Sequence, residues 1–261
     1  MRSSPVDWVP AGAWLAPGYA EWPAPPALRG VVACLWASVV PGSGGRERVV
    51  LPDACSDLIW ERGVGAYVAG PDTGPARVRS APDTVLVGVR FRPAAGGSAL
   101  GLPLSELRDQ RVPLADLLPA LAPRLPASLD VITAASRAVD LAGRLAADET
   151  PDLAIRHAAS LLRDPAARAE DVAAKVLLSE RQFRRRCHAA AGYGPKTLHR
   201  VLRFQRFVRQ LDASAGVPDL AAVAAEAGYA DQAHLTRDCK ALAGLTPTAL
   251  SLVRGKDPTA V

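Results

Sequence analysis

Cysteine and histidine are scarce in this sequence, which contains four residues of each. The cysteines are Cys34, Cys55, Cys187 and Cys239, and no two of them stand at C-x-x-C spacing. The histidines are scattered in the same way. Zinc sites and disulfide frameworks both need such residues at close, repeated spacings. The sequence therefore predicts neither, and we expect no cofactor.

Long apolar runs are also missing. The longest nearly unbroken run covers residues 31–40, about half the length that a helix needs to cross a bilayer. The N-terminus lacks the basic segment followed by an apolar segment that marks a secretory signal. We therefore expect a cytoplasmic protein without membrane contact.

Positive charge is concentrated towards the C-terminus. Residues 167–256 contain 15 Lys and Arg but only 8 Asp and Glu, a net charge of +7, whereas the remaining residues carry a net charge of −2. A length of 261 residues and an apolar fraction of 49% predict two folded domains. We place the first at 1–148 and the second at 149–261, and we expect only the second to meet a polyanion.

Short strands are predicted in the first domain. Runs of β-forming residues alternate there with turn-forming segments, such as Pro-Gly-Ser-Gly-Gly at 41–45. The predicted strands cover 31–39, 48–51, 57–61, 66–69, 76–79 and 84–91. Because no crossover helices separate them, the pattern favours a small sandwich or barrel.

A helical connector is predicted after Pro93, where leucine-rich segments follow at 104–121 and 129–145. Thr150 can then cap a helix that has Pro151 in its first turn. This helix would begin the second domain.

Two short helices joined by a tight turn are predicted at 169–192. Ser179 is the expected N-cap of the second helix. Phe183 and Cys187 lie four residues apart and point inwards. Because successive residues of a helix are rotated by about 100°, a group of mostly basic residues then points outwards. This outward group comprises Arg181, Arg184, Arg185 and His188.

The same arrangement recurs about 50 residues later. Asp231 is the expected N-cap, Leu235 and Cys239 point inwards, and Arg237 takes the position that Arg185 has in the first unit. The helix between the two units has an apolar stripe, and its other side carries Arg203, Arg206 and Arg209. These three arginines could face water, pair with acidic neighbours or contact phosphates.

Both units have the chemistry that a helix in the major groove of DNA requires. Long donors on the outward face can reach base edges, and an arginine can donate two hydrogen bonds to guanine O6 and N7. The expected fold class is α+β, with an N-terminal mostly β sandwich or barrel, a helical connector, and a C-terminal all-α domain of two helix-turn-helix units.

The C-terminal residues resemble the AraC/XylS family of transcription regulators over roughly the last hundred positions. The matching segments are Val172-Ala173, Ser179-Glu-Arg-Gln-Phe-Arg-Arg-Arg, Gly192-Tyr-Gly-Pro195, Arg203-Phe204, Ala224-Ala-Glu-Ala-Gly-Tyr229, Asp231-Gln-Ala-His234 and Gly244-Leu-Thr-Pro247. The resemblance implies that one polypeptide presents two recognition helices to successive major grooves of double-stranded DNA. It also implies RNA polymerase as a candidate partner.

The resemblance assigns DNA-contacting positions residue by residue. They are Arg181, Arg184 and Arg185 in the first recognition helix, and Gln232, Ala233, Thr236 and Arg237 in the second. The sequence also departs from the family pattern. Leu177 stands where a turn glycine is usual, and Cys187, Leu235 and Cys239 replace bulkier core residues.

The N-terminal half resembles the sensor domains that accompany such modules, over about 30–115. The segments Leu51-Pro-Asp-Ala-Cys-Ser-Asp-Leu58 and Gly88-Val-Arg-Phe-Arg-Pro93 carry this resemblance. It implies a small-molecule effector or a second copy of the chain as a partner of this domain. The candidate lining of a ligand pocket is Trp36, Trp60, Asp57, Arg90 and Arg92.

The sequence predicts a sequence-specific, effector-responsive regulator that is not an enzyme, and two other classes of function are the alternatives. A DNA-binding protein with an N-terminal, repair-type enzymatic domain would need an activated cysteine or a cysteine-rich metal site. A non-specific architectural binder would need more uniform positive charge or apolar wedges. The sequence favours the regulator and leaves open whether it activates or represses.

Overall fold

The computed structural model of the chain describes residues 6, 9–42, 46–148, 151–214 and 218–256, and its fold class is α+β as predicted. The strands are β1 (Gly18–Pro23), β2 (Val32–Val39), β3 (Arg46–Val50), β4 (Ser56–Glu61), β5 (Gly65–Ala69), β6 (Ala76–Ser80), β7 (Val85–Phe91) and β8 (Arg111–Pro113). The α-helices are α1 (Gly96–Leu100), α2 (Leu114–Leu117), α3 (Val131–Asp148), α4 (Leu153–Leu161), α5 (Ala169–Lys175), α6 (Glu180–Ala191), α7 (Pro195–Ala213), α8 (Leu220–Ala227), α9 (Gln232–Ala243) and α10 (Pro247–Lys256). Short 3-10 helices cover Ala11–Leu15, Pro26–Leu28, Leu104–Glu106 and Ala122–Arg124.

The strands form two antiparallel sheets. Six of them pair in the order β1-β2-β7-β4-β5-β8, and β3 pairs with β6. Successive side chains of a strand point to opposite faces, so Leu58 and Trp60 join the core with α3, whereas Asp57 and Ile59 face a cavity that β3 and β6 also line. All six predicted strands are confirmed, and β1 and β8 are additional.

The leucine-rich segment 104–121 does not form the predicted helix. It contains a 3-10 turn, the short strand β8 and the single turn α2. Proline at 103, 113 and 119 explains the difference, because a proline ring breaks the hydrogen-bond ladder of a helix interior. The second leucine-rich segment does form a helix, α3, which covers β4 and β7.

Helix α4 begins two residues later than predicted. Thr150 lies outside the described residues, and the cap of α4 is Asp152, whose carboxylate accepts a hydrogen bond from Ile155 N at 3.0 Å. The prediction of Thr150 as the cap is therefore wrong. Asp152 also pairs with Arg186, at 2.7 Å from Nε, so this cap ties α4 to α6.

Helices α4 to α10 enclose a core around Phe183, Phe204 and Phe207. Leu51 and Ala54 of the N-terminal domain belong to the same core, so the two domains pack directly against each other. Among the described residues, no helix is both long and apolar enough to cross a membrane.

Candidate nucleic-acid interface

Helix α6 begins with a complete capping box. Ser179 Oγ accepts a hydrogen bond from Gln182 N at 3.3 Å, and Gln182 Oε1 accepts one from Ser179 N at 3.1 Å. Phe183 and Cys187 are buried, as their spacing predicts. The cap and the buried side chains fix both the start and the rotation of this helix.

The rotation of α6 leaves three arginines at the surface. Arg181, Arg184 and Arg185 are exposed, and in the described part of the chain none of them forms an ion pair or a side-chain hydrogen bond. Arg186 differs from them, because it binds Asp152 of α4. The helix thus uses one arginine internally and presents the others to solvent.

The turn between α5 and α6 contains Leu177 in the left-handed region, with φ of 57°. Leu177 N donates to Ala174 O at 3.0 Å, and Leu178 N donates to Ala173 O at 3.0 Å. This is the Schellman pattern that usually places glycine at the position of Leu177. Leu177 is 91% exposed.

Helix α9 repeats the geometry of α6. Asp231 caps it by accepting a hydrogen bond from His234 N at 2.6 Å, and Leu235 and Cys239 are buried. The candidate residues lie along the outer side of this helix: Gln232, Ala233 and Arg237 are exposed, and Thr236 is half-buried. The Thr236 hydroxyl donates to Gln232 O at 2.8 Å.

An ion-pair network that was not predicted holds α9 against α7. The Asp238 carboxylate is buried and accepts hydrogen bonds from Arg200 Nε at 2.6 Å and from a terminal nitrogen of Arg203 at 3.1 Å. The Arg203 guanidinium also lies 5.0 Å from the ring centre of Tyr229 and 2.9 Å from His234 Nε2. Arg203 therefore pairs with an acidic neighbour, which was one of the three roles left open for it.

A cavity of about 500 Å³ lies between the two sheets and is called the sheet cavity here. Three of the five predicted pocket residues meet there, since Asp57 Oδ1 accepts hydrogen bonds from Trp36 Nε1 at 2.6 Å and from Arg90 Nε at 3.2 Å. Burial raises the pKa of Asp57 against the opposing effect of Arg90. The prediction is wrong for Trp60 and Arg92: Trp60 points to the opposite face of the sheet and donates to Pro126 O, and Arg92 donates to Arg29 O.

The cysteines near the sheet cavity are poor nucleophiles. Burial raises the pKa of Cys34 to about 12 and also raises the pKa of Cys55. A thiol nucleophile needs a lowered pKa. These two residues therefore lack the property that the repair-type alternative required.

The loop 70–75, between β5 and β6, connects the sheet cavity to α6 and α9. Gly70 and Asp72 line the cavity, and Asp72 accepts two hydrogen bonds from Arg111 at 2.8 and 2.7 Å. Pro71, Gly74 and Pro75 lie beside the C-terminal ends of α6 and α9. A Cβ atom on Gly192 would clash with Pro71, one on Gly74 would lie 3.5 Å from Ala241 O, and one on Gly244 would lie 3.6 Å from Pro75 Cγ.

Two family models match the chain. One, described as a helix-turn-helix domain, matches residues 172–251, and the other, described as a domain of unknown function (DUF6597), matches residues 20–113. No curated protein matches the chain.

Several solved structures of ToxT from Vibrio cholerae are similar to the chain. One is 11% identical, covers 84% of this chain and 98% of its own, and has a TM-score of 0.46. A second, bound to (E)-4-(8-methylnaphthalen-1-yl)but-3-enoic acid, has the same identity and coverage and a TM-score of 0.47. A third, described as bound to an unsaturated fatty acid, is 12% identical, covers 83% of this chain and 93% of its own, and has a TM-score of 0.41.

Proposed function

We propose that this DNA-binding transcription regulator, whose C-terminal region is an AraC-type helix-turn-helix domain, reads two successive major grooves of double-stranded DNA with α6 and α9. The observation that carries the proposal is the pair of capped helices joined by α7, each with a polar face at the surface. A recognition helix contacts base edges through such a face while neighbouring groups contact the backbone.

Helix α6 should contribute more than α9 to the electrostatic attraction of DNA. Arg181, Arg184 and Arg185 carry three positive charges on the exposed side of α6 without a carboxylate partner among the described residues. We assign Arg185 to base contact because it lies one turn beyond Arg181, towards the middle of the helix. An arginine there can donate two hydrogen bonds to one guanine.

Helix α9 should contact the bases with a surface of polar, apolar and basic side chains. Gln232 can pair with adenine, the methyl groups of Ala233 and Thr236 suit a thymine methyl, and Arg237 suits guanine. Because α9 has a single arginine among these residues, it should contribute less than α6 to total affinity. Its contribution to sequence preference should be similar to that of α6.

We propose that a small-molecule effector binds in the sheet cavity. The cavity joins an aromatic wall of Tyr19, Trp36 and Tyr67 to a charged end containing Asp57 and Arg90, a combination typical of small-molecule sites. An occupant would contact Gly70 and Asp72, and the loop that contains them also touches the ends of both recognition helices.

The remaining partners rest on the sequence resemblance. RNA polymerase and a second copy of the chain stay predictions, as does a cytoplasmic location. We propose a domain boundary between residues 148 and 149, because α3 packs in the core of the sheet whereas α4 packs in the core around the phenylalanines.

The proposed function is tested by selecting binding sites for the purified full chain from random duplex DNA. We expect two clusters of preferred bases whose centres lie about 10–10.5 bp apart on one face of the duplex. Arg185→Ala should relax preference in one cluster and Arg237→Ala in the other, each by about 1–3 kcal/mol against the preferred base.

A base-by-base substitution profile of the selected site, measured at fixed salt, distinguishes base contacts from phosphate contacts. We expect Arg185→Ala to weaken total affinity more than Arg237→Ala does, because the neighbourhood of Arg185 is more basic. If both variants lost affinity equally for every sequence, the two arginines would be phosphate contacts. If no sequence were enriched, sequence-specific binding itself would be wrong.

A further inference from the structure

Each helix-turn-helix unit has a cleft bordered by its recognition helix and by the N-terminal ends of the helices before and after it. In the second unit this cleft has a volume of about 520 Å³, and its walls come from 220–248. In the first unit the equivalent cleft, called the junction cleft here, has a volume of about 840 Å³. Thr73, Arg108 and Asp109 of the N-terminal domain complete its wall.

The junction cleft lies beside the surface that enters DNA. Arg184 and His188 of α6 line it together with Lys196 at the start of α7. When a recognition helix occupies the major groove, the flanking helix ends lie next to the phosphates that border the groove. A side chain that projects into this cleft is therefore within the reach of a DNA strand.

Arg108 adds a positive charge to a region that is already basic. It is exposed, and within the described ranges it has neither an ion pair nor a side-chain hydrogen bond. Together with burial, the larger cause, the charges of Arg184 and Arg108 lower the pKa of His188. Neighbouring like charges repel each other, and an anion bound between them offsets this repulsion.

Two of the acidic groups around the cleft are already engaged. The Asp109 carboxylate accepts hydrogen bonds from Thr73 N at 2.6 Å and from Thr73 Oγ1 at 2.8 Å. Glu170 lies 3.6 Å from Arg168. Glu180 remains at the start of α6, where a carboxylate suits the helix dipole. Among the described residues, none of these carboxylates forms an ion pair with Arg108, which is therefore available for another anion.

The N-terminal domain holds Arg108 in place relative to α6. Gly97 packs so closely on the end of this helix that a Cβ atom there would lie 2.9 Å from Ala189 O. Gly192, with φ of 82°, packs in the same way on Pro71. Pro71 O in turn accepts a hydrogen bond from Asp109 N at 3.2 Å, directly next to Arg108.

We propose that the N-terminal domain forms part of the DNA interface, with Arg108 contacting a backbone phosphate beside the first recognition helix. The inference rests on the proposed function and extends it, because the DNA-binding surface then includes a residue outside the helix-turn-helix domain. The contact positions the protein on DNA and carries no sequence preference.

The test compares full-length variants on one selected duplex over a series of salt concentrations. Arg108→Ala should lower the salt slope by about one unit, since each neutralised phosphate contributes about 0.9. Its affinity at about 0.1 M salt should fall roughly 3- to 10-fold, with an unchanged base profile. Arg108→Lys should restore most of the slope. Arg62→Ala is the matched control, because Arg62 is an exposed arginine of the N-terminal domain in the β4–β5 turn.

This inference alone would be overturned if the wild type bound DNA normally and Arg108→Ala had the same salt slope and the same affinity as Arg62→Ala. Tighter binding by Arg108→Ala would also overturn it, because the N-terminal domain would then oppose DNA binding at this position. A wild-type chain that bound no DNA would instead overturn the proposed function, and this inference with it.

Discussion

A leucine occupies the left-handed turn position before the first recognition helix. An L-residue with a Cβ atom costs about 1–2 kcal/mol in this region, whereas glycine adopts it without that cost. Leu177→Gly should therefore stabilise the protein, although glycine also gains freedom in the unfolded chain. We expect a net gain of about 1 kcal/mol, measured as a rise of about 2–4 °C in Tm.

The control for this substitution is Leu177→Ala. Alanine removes the exposed apolar side chain but keeps the Cβ atom, so it should give no such gain. An equal rise in Tm for both variants would assign the effect to the exposed side chain and not to the backbone conformation.

Local chemistry made several residues predictable from sequence. Ser179 and Asp231 were identified as caps because the hydrogen bonds of an N-cap join residues only two or three apart. The role of Arg203 could not be chosen in the same way, since its partner Asp238 lies 35 positions away. The sequence showed the charge of Arg203 but not the carboxylate that it faces.

The position of the second recognition helix depends on its attachment to the linker helix. Asp238 of α9 is 5% exposed in its side chain, and it pairs with Arg200 and Arg203 of α7. Removing one member of such a group leaves buried positive charge without compensation. Asp238→Asn should lower the stability by about 2–3 kcal/mol, since Arg200 is partly solvated.

This substitution should also affect the two recognition helices unequally. A displaced α9 loses base preference in its own cluster, while the cluster read by α6 is kept. Asp212→Asn is the control, because Asp212 pairs with Arg254 at the opposite end of α7. Equal losses in both clusters for Asp238→Asn would show that the network stabilises the domain without positioning α9.

Elements were predictable where the pattern of residues was regular. The alternation along β4 and β7 and the period of α6 and α9 each reflect one buried face. The segment 104–121 has the leucines of a helix, but its prolines permit only short turns. Strand β8 has only three residues, and its pairing with β5 depends on a chain reversal that has no local signal.

At the scale of the whole molecule, the N-terminal domain is joined to the DNA-binding domain by a shared core and by the loop 70–75. Leu51 and Ala54 belong to the core of the helical domain, and Gln205 donates to Pro52 O at 2.7 Å. These contacts join residues about 100 or more positions apart. No periodicity marks such residues, so the sequence predicted two domains but not their interface.

The loop 70–75 should determine how firmly the two recognition helices are held for DNA. Its anchor is the ion pair of Asp72 with Arg111, which has two hydrogen bonds and a largely buried carboxylate. Asp72→Asn should cost about 1–3 kcal/mol of stability. DNA affinity should fall roughly 3- to 10-fold, because the ends of α6 and α9 are then less well ordered before binding. Glu47→Gln is the control, since the ion pairs of Glu47 with Arg77 and Arg79 are exposed and do not involve a residue of the loop, and it should change neither quantity. Thermal unfolding and fluorescence anisotropy on the selected duplex measure the two effects. A folded Asp72→Asn protein with wild-type DNA affinity would show that the loop only packs against the helices, and the route from the sheet cavity to DNA would then have to run elsewhere.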